Sequence, residues 1–379
     1  MKRIKYICYY PSRDANKPRE CVEAATTKID YIISVCNRIG IAVDIISPSV
    51  VSTKSFCLSM GGCTAIGINT LRLFPSFGCH SFALLRGLSR LLTYFCFHCY
   101  LKKNIVDDET IIVYHELDYS SFFLKLKKKH NFRLIGEIEE IYQDVHPKSE
   151  RLGKVEYDFF SACDNYIFST HLLNRKLNPQ GKPFVLVHGI YSGEPSRNVK
   201  WEDDDIHIIY AGTFDPIKGG ALAAITSAEF LPKGYHVHIC GSGKESDKAA
   251  VIRAVHETNE KTEAKVTYDG LLKGEDFICF LQKCQIGLST QNPTAAFNAT
   301  SFPSKVLTYL ANGLQVVSIR IPAVEQSGLG GYLTYYDYQT PEEIAAAIVR
   351  CYKTNHVPSK EILQKLDDDF SNNLLSLIL

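Results

Sequence analysis

Residues 295–318 read AAFNATSFPSKVLTYLANGLQVVS, and they divide into a polar loop, a short helix and a strand. Pro303 suits the first turn of a helix, because its fixed φ is helical and its missing N–H would have had no partner there. Thr300 and Ser301 are available as caps. Val306, Leu307 and Leu310 lie on adjoining faces at a helical spacing, and Gly313 sits where a left-handed residue ends a helix. Val316 and Val317 then start a buried strand. The opening N–H groups of such a helix favour an anion by roughly 0.3–1 kcal/mol. Lys305 puts a cation in the first turn, where it opposes the dipole unless an anion comes to meet it. A capped surface helix of an α/β domain fits the stretch equally, so its neighbours decide.

Working outward, the second half of the chain alternates strand and helix from Ile206. The strand IHIIYAG leads into the turn Thr213 to Lys218 and a helix through Phe230. The strand YHVHIC runs into Gly241-Ser242-Gly243-Lys244, and the strand KVTY reaches Asp269-Gly270. Further strands are expected at QIGLST and LQVVSI, and the helix Pro341 to Tyr352 closes the series. This pattern predicts a parallel, doubly wound sheet with its ligand outside the carboxyl ends of the strands. Three anion-seeking features fall at that edge: Gly212 through Lys218, Gly241 to Gly243, and the helix start at Thr300 to Lys305. Together they describe a cradle for a diphosphate.

The first half repeats the logic. Ile4 to Tyr9 reads as a buried strand, Val22 to Arg38 as an amphipathic helix ended by Gly40, and Ala42 to Ser47 as a second strand. Thr110 to Tyr114 delivers His115 and Glu116 to the carboxyl edge, and Leu134 to Ile138 delivers Glu137, Glu139 and Glu140. Crowded carboxylates raise one pKa and make a general base, while a solvated loop would explain them as well. Asn165 to Ser169 and Phe184 to His188 look like the last strands of this half.

No Asp or Glu stands between Asp44 and Asp107, a window that holds Lys54, Arg72, Arg86, Arg90, Lys102 and Lys103. Within it, FALLRGLSRLLTYFCFHCYL (82–101) is strongly apolar, and its charges argue against a membrane span. A core helix and a helix lying on an anionic membrane surface both fit. The pair Cys96 and Cys99 lacks the second ligand pair that a zinc site needs.

With 379 residues, 45% hydrophobic and 22% charged, the chain is expected to hold two domains of a globular protein. A net charge of +1 gives no reason to expect nucleic acid as a partner. The 13 scattered cysteines and the absence of a signal peptide at the start point to reduced thiols in a cytoplasmic protein. The polar stretch Tyr191 to Asp205 has no periodicity and is read as a linker. The expected boundaries are 1–192 for an N-terminal domain, 193–205 for the linker, 206–354 for a second domain and 355–379 for a closing segment.

The segments AGTFDPIKGG (211–220), HICGSGKE (238–245), VTYDGLL (266–272) and FPSKVLTYLANGLQVVS (302–318) resemble, in order and spacing, the donor domain of the retaining nucleotide-sugar glycosyltransferases of the large fourth family. KYICYYPS (5–12), IIVYHELD (111–118) and EIEEIYQDV (137–145) look like the first half of its bacterial polysaccharide-assembly members. The resemblance implies the GT-B fold: α/β, with two Rossmann-like domains facing across a cleft.

It also implies that Lys218 holds the donor diphosphate with the N–H groups of Ser304 and Lys305. Gly212 and Thr213 would flank it, Gly241 and Gly243 would make room near the nucleotide, and Leu271 would lie against the base. His115 resembles the family histidine that faces the donor sugar, and with Lys218 and Glu137 it forms the expected catalytic set. The chain departs from the family at Thr213, where an arginine is usual, and at Thr300 and Thr308, where two glutamates are usual. His188 stands where many relatives have asparagine. The implied activity is sugar transfer from a nucleotide sugar, a UDP-sugar first, to a glycan or lipid-linked oligosaccharide acceptor in cell-surface polysaccharide assembly. No metal and no cofactor are expected, and the place is the cytoplasm or the inner membrane face, with peripheral contact to anionic lipid. Two other readings stay open: a non-catalytic GT-B partner of another transferase, and a nucleotide-sugar epimerase.

Overall fold

The computed structural model describes residues 2–78, 82–145, 149–216, 219–293, 300–354 and 357–379. The chain divides into two compact units, one of Met1–Ser169, Leu173–Ile190 and Phe370–Leu379, the other of Thr170–Leu172 and Tyr191–Asp369.

In the first unit β1 (Lys2–Ile7), α1 (Glu23–Arg38) and β2 (Ile41–Ser47) are followed by four short strands, β3 (Cys57–Ser59), β4 (Gly62–Ile66), β5 (Asn69–Leu73) and β6 (Ser76–Gly78). The helix α2 (Ala83–Asn104) leads to β7 (Thr110–Tyr114), α3 (Leu117–Lys127), β8 (Arg133–Ile138), α4 (Tyr142–Val145), α5 (Glu150–Ala162), β9 (Asn165–Phe168), α6 (His171–Leu177) and β10 (Phe184–Leu186). The sheet order is β10-β9-β8-β7-β1-β2-β5-β4, parallel except for the β4–β5 pair. Ile7, Ile111, Val113, Leu134 and Ile138 are all buried, as strands covered on both faces require. The order turns back between β1 and β7, which makes that pair the switch point where such sheets bind ligands.

The strands between Cys57 and Gly78 are an addition to the expected fold. They are three to five residues long and punctuated by Gly61, Gly62 and Gly67, all at positive φ, so no window there carries a strand period. The helix α2 also departs from a core helix. Its buried stripe is Ser89, Thr93, Phe97 and Leu101. Ser89 Oγ lies 3.0 Å from Ser76 Oγ, and Thr93 Oγ1 donates to Pro75 O at 2.9 Å. Ser89 and Thr93 thus face inward while Leu84, Leu88 and Leu91 face out.

In the second unit β11 (Ile206–Thr213), α7 (Gly220–Ser227), β12 (Tyr235–Ser242), α8 (Glu245–Asn259), β13 (Lys265–Gly270), α9 (Gly274–Lys283) and β14 (Ile286–Ser289) precede α10 (Ser304–Ala311). Then come β15 (Gln315–Ile319), α11 (Pro322–Glu325), β16 (Thr334–Tyr336), α12 (Pro341–Lys353) and α13 (Ser359–Ile378). All neighbours are parallel in the order β13-β12-β11-β14-β15-β16. That is the doubly wound order, with its switch point at β11 and β14. The end of α13 from Phe370 onward groups with the first unit, where Phe370 stacks on Tyr31 at 5.9 Å and Lys2 Nζ donates to Ile378 O at 2.7 Å.

Candidate functional site

The second unit's switch point is built around a fork. Strands β11 and β14 pair only at Ile208–Ile286 and Ile209–Gly287, then part. Tyr309, from the middle of α10, closes the gap: its hydroxyl accepts from Ala211 N–H at 2.9 Å and donates to Leu288 O at 3.3 Å. The ring lies over Gly287, where any Cβ would come within 2.2 Å of it. One glycine therefore lets one helix sit in the fork, and the tyrosine satisfies backbone groups that the diverging strands leave unpaired.

This seat aims the start of α10 along the carboxyl edge. Pro303 is the N-cap, in extended conformation and with no side-chain cap bond. The capping expected of Thr300 or Ser301 is therefore not made: Thr300 is buried, and Ser301 Oγ is buried without a hydrogen-bond partner. The helix opens at Ser304 and Lys305, and the backbone N–H groups of such a helix start suit an anionic acceptor. Lys305 reaches back to β11. Its Nζ lies 3.8 Å from the Tyr210 ring centroid, and a Cβ on Gly212 would come within 2.7 Å of it. Gly212 thus clears the lysine's place. At its other end α10 closes as the glycine foretold, with Gly313 at φ +84° and Leu314 N–H returning to Tyr309 O at 3.0 Å.

The other expected donor residues fall around this point with different surroundings. Thr213 ends β11 and is exposed. Gly241 and Gly243 have an intramolecular reason: a Cβ would meet Gly212 O at 1.8 Å in the first case and Phe214 O at 2.8 Å in the second. Leu271 follows β13 and is 54% exposed. Thr308 is half-buried on α10, its hydroxyl donating to Ser304 O at 3.2 Å. Lys218 lies outside the described residues, as do Ala295 to Ala299 of the loop that precedes α10.

The first unit's carboxyl edge has the opposite character. His115, just past β7, is buried, stacked on Tyr142 at 4.7 Å and flanked by Phe159 and Phe160, with Nε2 3.4 Å from Glu156 Oε1. Burial lowers its pKa to about 3, so the ring is neutral at physiological pH. Glu137 is fully buried and bonds Tyr6 Oη, and burial pushes its carboxyl up to about 7. Glu139 pairs with Lys28. Glu116 stays half-exposed at the end of β7, its Oε1 accepting from Tyr142 Oη at 3.2 Å. Burial, then the like charges of Asp118 and Glu140, push it up to about 7 against that bond. Beside it Tyr9 Oη, from the loop after β1, donates to Asp118 Oδ2 at 2.9 Å and touches Tyr94 Oη. A carboxyl that reaches solvent and exchanges its proton near neutrality is suited to general-base work.

Sequence reasoning placed Glu116 at this edge without singling it out, and it missed Tyr309. A glycine inside the apolar strand QIGLS is a recognised sign of close approach. Which side chain approaches depends on the strand order.

Residues 205–354 match the family model described as glycosyl transferases group 1. Among curated proteins, none matches the sequence. Similar solved structures span the chain. A sucrose-phosphate synthase from Thermosynechococcus elongatus shares 14% identity at a TM-score of 0.65, over 100% of this chain and 95% of that one. An E. coli structure described as trehalose-6-phosphate bound with UDP-2-fluoro glucose shares 10% at 0.66, over 99% and 96%. An α,α-trehalose 6-phosphate synthase from Burkholderia multivorans shares 12% at 0.60, over 99% of both chains. The chain therefore has the GT-B fold, and the match to glycosyl transferases group 1 over residues 205–354 supports a transferase.

Proposed function

We propose that the protein is a retaining glycosyltransferase that moves a sugar from a nucleotide-diphosphate donor to a glycan or lipid-linked acceptor in cell-surface polysaccharide assembly. The observation that carries the donor half is the fork at β11 and β14, where the uncapped start of α10 and the Lys305 ammonium converge against Gly212. Backbone N–H groups and a fixed cation bind a diphosphate and stabilise the charge that grows as it leaves. Lys218 supplies the second cation. The neighbour bound with UDP-2-fluoro glucose supports a uridine nucleotide. On the first unit, Glu116 receives the acceptor hydroxyl's proton, and the buried His115 and Glu137 hold the edge in shape.

The outward face of α2 supports a membrane-bound acceptor. Leu84, Leu88, Leu91, Leu92 and Phe95 are exposed on it, 77% for Leu84 and 70% for Leu91, in a window without acidic residues. Among the described residues no helix is long and apolar enough to cross a membrane. Such a face docks onto a bilayer surface instead.

Thr213, Thr300 and Thr308 favour one rival reading, a GT-B partner that binds without catalysis. Incubation with each nucleotide sugar and an extract of lipid-linked glycans, read by mass spectrometry, separates the two. Transfer proceeds with release of nucleoside diphosphate and an anomeric configuration unchanged from the donor. Binding with neither transfer nor slow donor hydrolysis would establish the partner reading, and an isomerised donor sugar would establish an epimerase.

A further inference from the structure

Three buried histidines lie on one face of the second unit's sheet, away from the donor edge. His207 is second in β11, His236 second and His238 fourth in β12, and the parallel register sets His207 beside His236. They are 1%, 5% and 1% exposed, and one ring nitrogen of each lies within 4.8 Å of the others. Each histidine also has an outward partner. His207 Nε2 is 2.7 Å from Asp203 Oδ1, His238 Nδ1 is 3.2 Å from Asp269 Oδ2, and His236 Nε2 is 3.0 Å from Thr267 Oγ1. The Thr267 hydroxyl gives its hydrogen to Asp269 Oδ2 at 2.9 Å.

These partners orient the rings. A carboxylate only accepts, so Asp203 and Asp269 hold N–H on His207 Nε2 and His238 Nδ1. Thr267, its hydrogen committed, accepts from His236 Nε2–H. The remaining ring nitrogens are His207 Nδ1, His238 Nε2 and His236 Nδ1. His207 Nδ1 and His238 Nε2 share a hydrogen bond at 2.9 Å, Thr267 Oγ1 also lies 3.2 Å from His238 Nδ1, and His236 Nδ1 is buried with no hydrogen-bond partner.

We propose that His207, His236 and His238 bind a divalent transition ion, zinc first, with a water completing four-coordination. Neutral imidazoles suit such ions, and the carboxylates behind His207 and His238 orient the ligands and balance the charge. Ligands about 2.1 Å from a tetrahedral zinc stand about 3.4 Å apart, so the inner pair opens by a few tenths of an ångström on binding. The ion ties β11 to β12, and through Asp269 and Thr267 to β13. It is structural: Gly212 lies five residues beyond His207 in β11, about 16 Å along a strand, which sets the ion apart from the donor edge.

The site carries its own reporter. Trp201, the chain's one tryptophan, stacks on His207 at 4.8 Å and on His238 at 5.0 Å. The tag-free full chain, stripped by chelation, is titrated with Co²⁺ while tryptophan fluorescence and visible absorption are followed. We expect quenching that saturates at one ion per chain, visible ligand-field bands, and reversal of both by Zn²⁺. His236→Ala removes the unpartnered nitrogen and weakens Co²⁺ binding by at least about tenfold. Asp203→Ala, at a side chain 51% exposed and safe for folding, weakens it by about ten- to a hundredfold through its effect on His207. The absence of stoichiometric binding up to millimolar Co²⁺, or equal quenching in the wild type and in Asp203→Ala, would overturn the site.

Discussion

The two units use the same device, a switch point at the carboxyl edge of a parallel sheet, and dress it in opposite chemistry. At β1 and β7 the first unit gathers Glu116, Asp118 and Glu140 with the phenols of Tyr9, Tyr94 and Tyr142. At β11 and β14 the second gathers Gly212, Lys305 and an uncapped helix start. The topology decides where a ligand goes, and the side chains decide its charge. An acidic, aromatic edge repels phosphate and suits neutral hydroxyls, while the glycine and lysine edge asks for an anion. On the proposed function, two substrates of different charge are sorted between two copies of one architecture.

The sharpest way to break this contrast is to remove its cations. Lys218→Ala is expected to abolish transfer, by at least about a hundredfold in kcat, while circular dichroism and thermal midpoint stay those of the wild type. Near-normal turnover would remove the cradle. Glu116→Gln should instead lower kcat, flatten its rise with pH near 7 and leave donor affinity alone. A loss of donor affinity in that variant would mix the two edges and refute the sorting.

Gly287→Ala tests the fork itself. Its methyl group meets the Tyr309 ring, so a loss on the order of 3 kcal/mol is expected in chemical denaturation. Tyr309→Phe, which leaves Ala211 N–H and Leu288 C=O without the hydroxyl, should cost about 1–3 kcal/mol. Stability unchanged in both would mean that Tyr309 does not hold α10 in place.

Glu137 gives a pH signature on the other edge. Its carboxyl titrates at about 7 in the fold and near 4.3 when unfolded. The folded state therefore binds the extra proton between those values, and stability falls as pH rises through that window. Glu137→Gln should remove most of this fall, raising stability at pH 8 by on the order of 2–3 kcal/mol and leaving pH 4 little changed. His115 works in the opposite sense. Its lowered pKa makes stability fall as pH drops from 6.5 towards 3. A variant whose midpoint follows the wild type at every pH would contradict the burial of the Glu137 charge.

The smallest effect belongs to α2. Leu84→Ser with Leu91→Ser should abolish flotation with anionic liposomes and leave transfer to a soluble acceptor unchanged. Equal flotation with neutral and anionic vesicles would remove the electrostatic part of the argument.

What could be read from residues alone follows a physical pattern. The α10 stop at Gly313, the strands at Thr110 and Ile206 and the doubly wound alternation were legible, because backbone conformation and burial period act locally. The strands from Cys57 to Gly78 were too short to show a period. Tyr309 over Gly287, the unbonded cap at Thr300 and Ser301, and the burial of His115 depend on which strands become neighbours. The HVH of β12 places two histidines on one face by alternation, yet the third comes from β11, and only the register brings it beside them.

The central claim is that the second unit holds a nucleotide-sugar diphosphate at the α10 start. It is tested most directly by thermal stabilisation across uridine, guanosine and adenosine diphosphate sugars, in the wild type and in Lys305→Ala. A donor at a hundred times its Kd stabilises the fold by about 2.7 kcal/mol. A UDP-sugar is predicted to raise the wild-type midpoint and to lose most of that effect in Lys305→Ala. No shift with any nucleotide sugar, or an equal shift in the variant, would contradict the account.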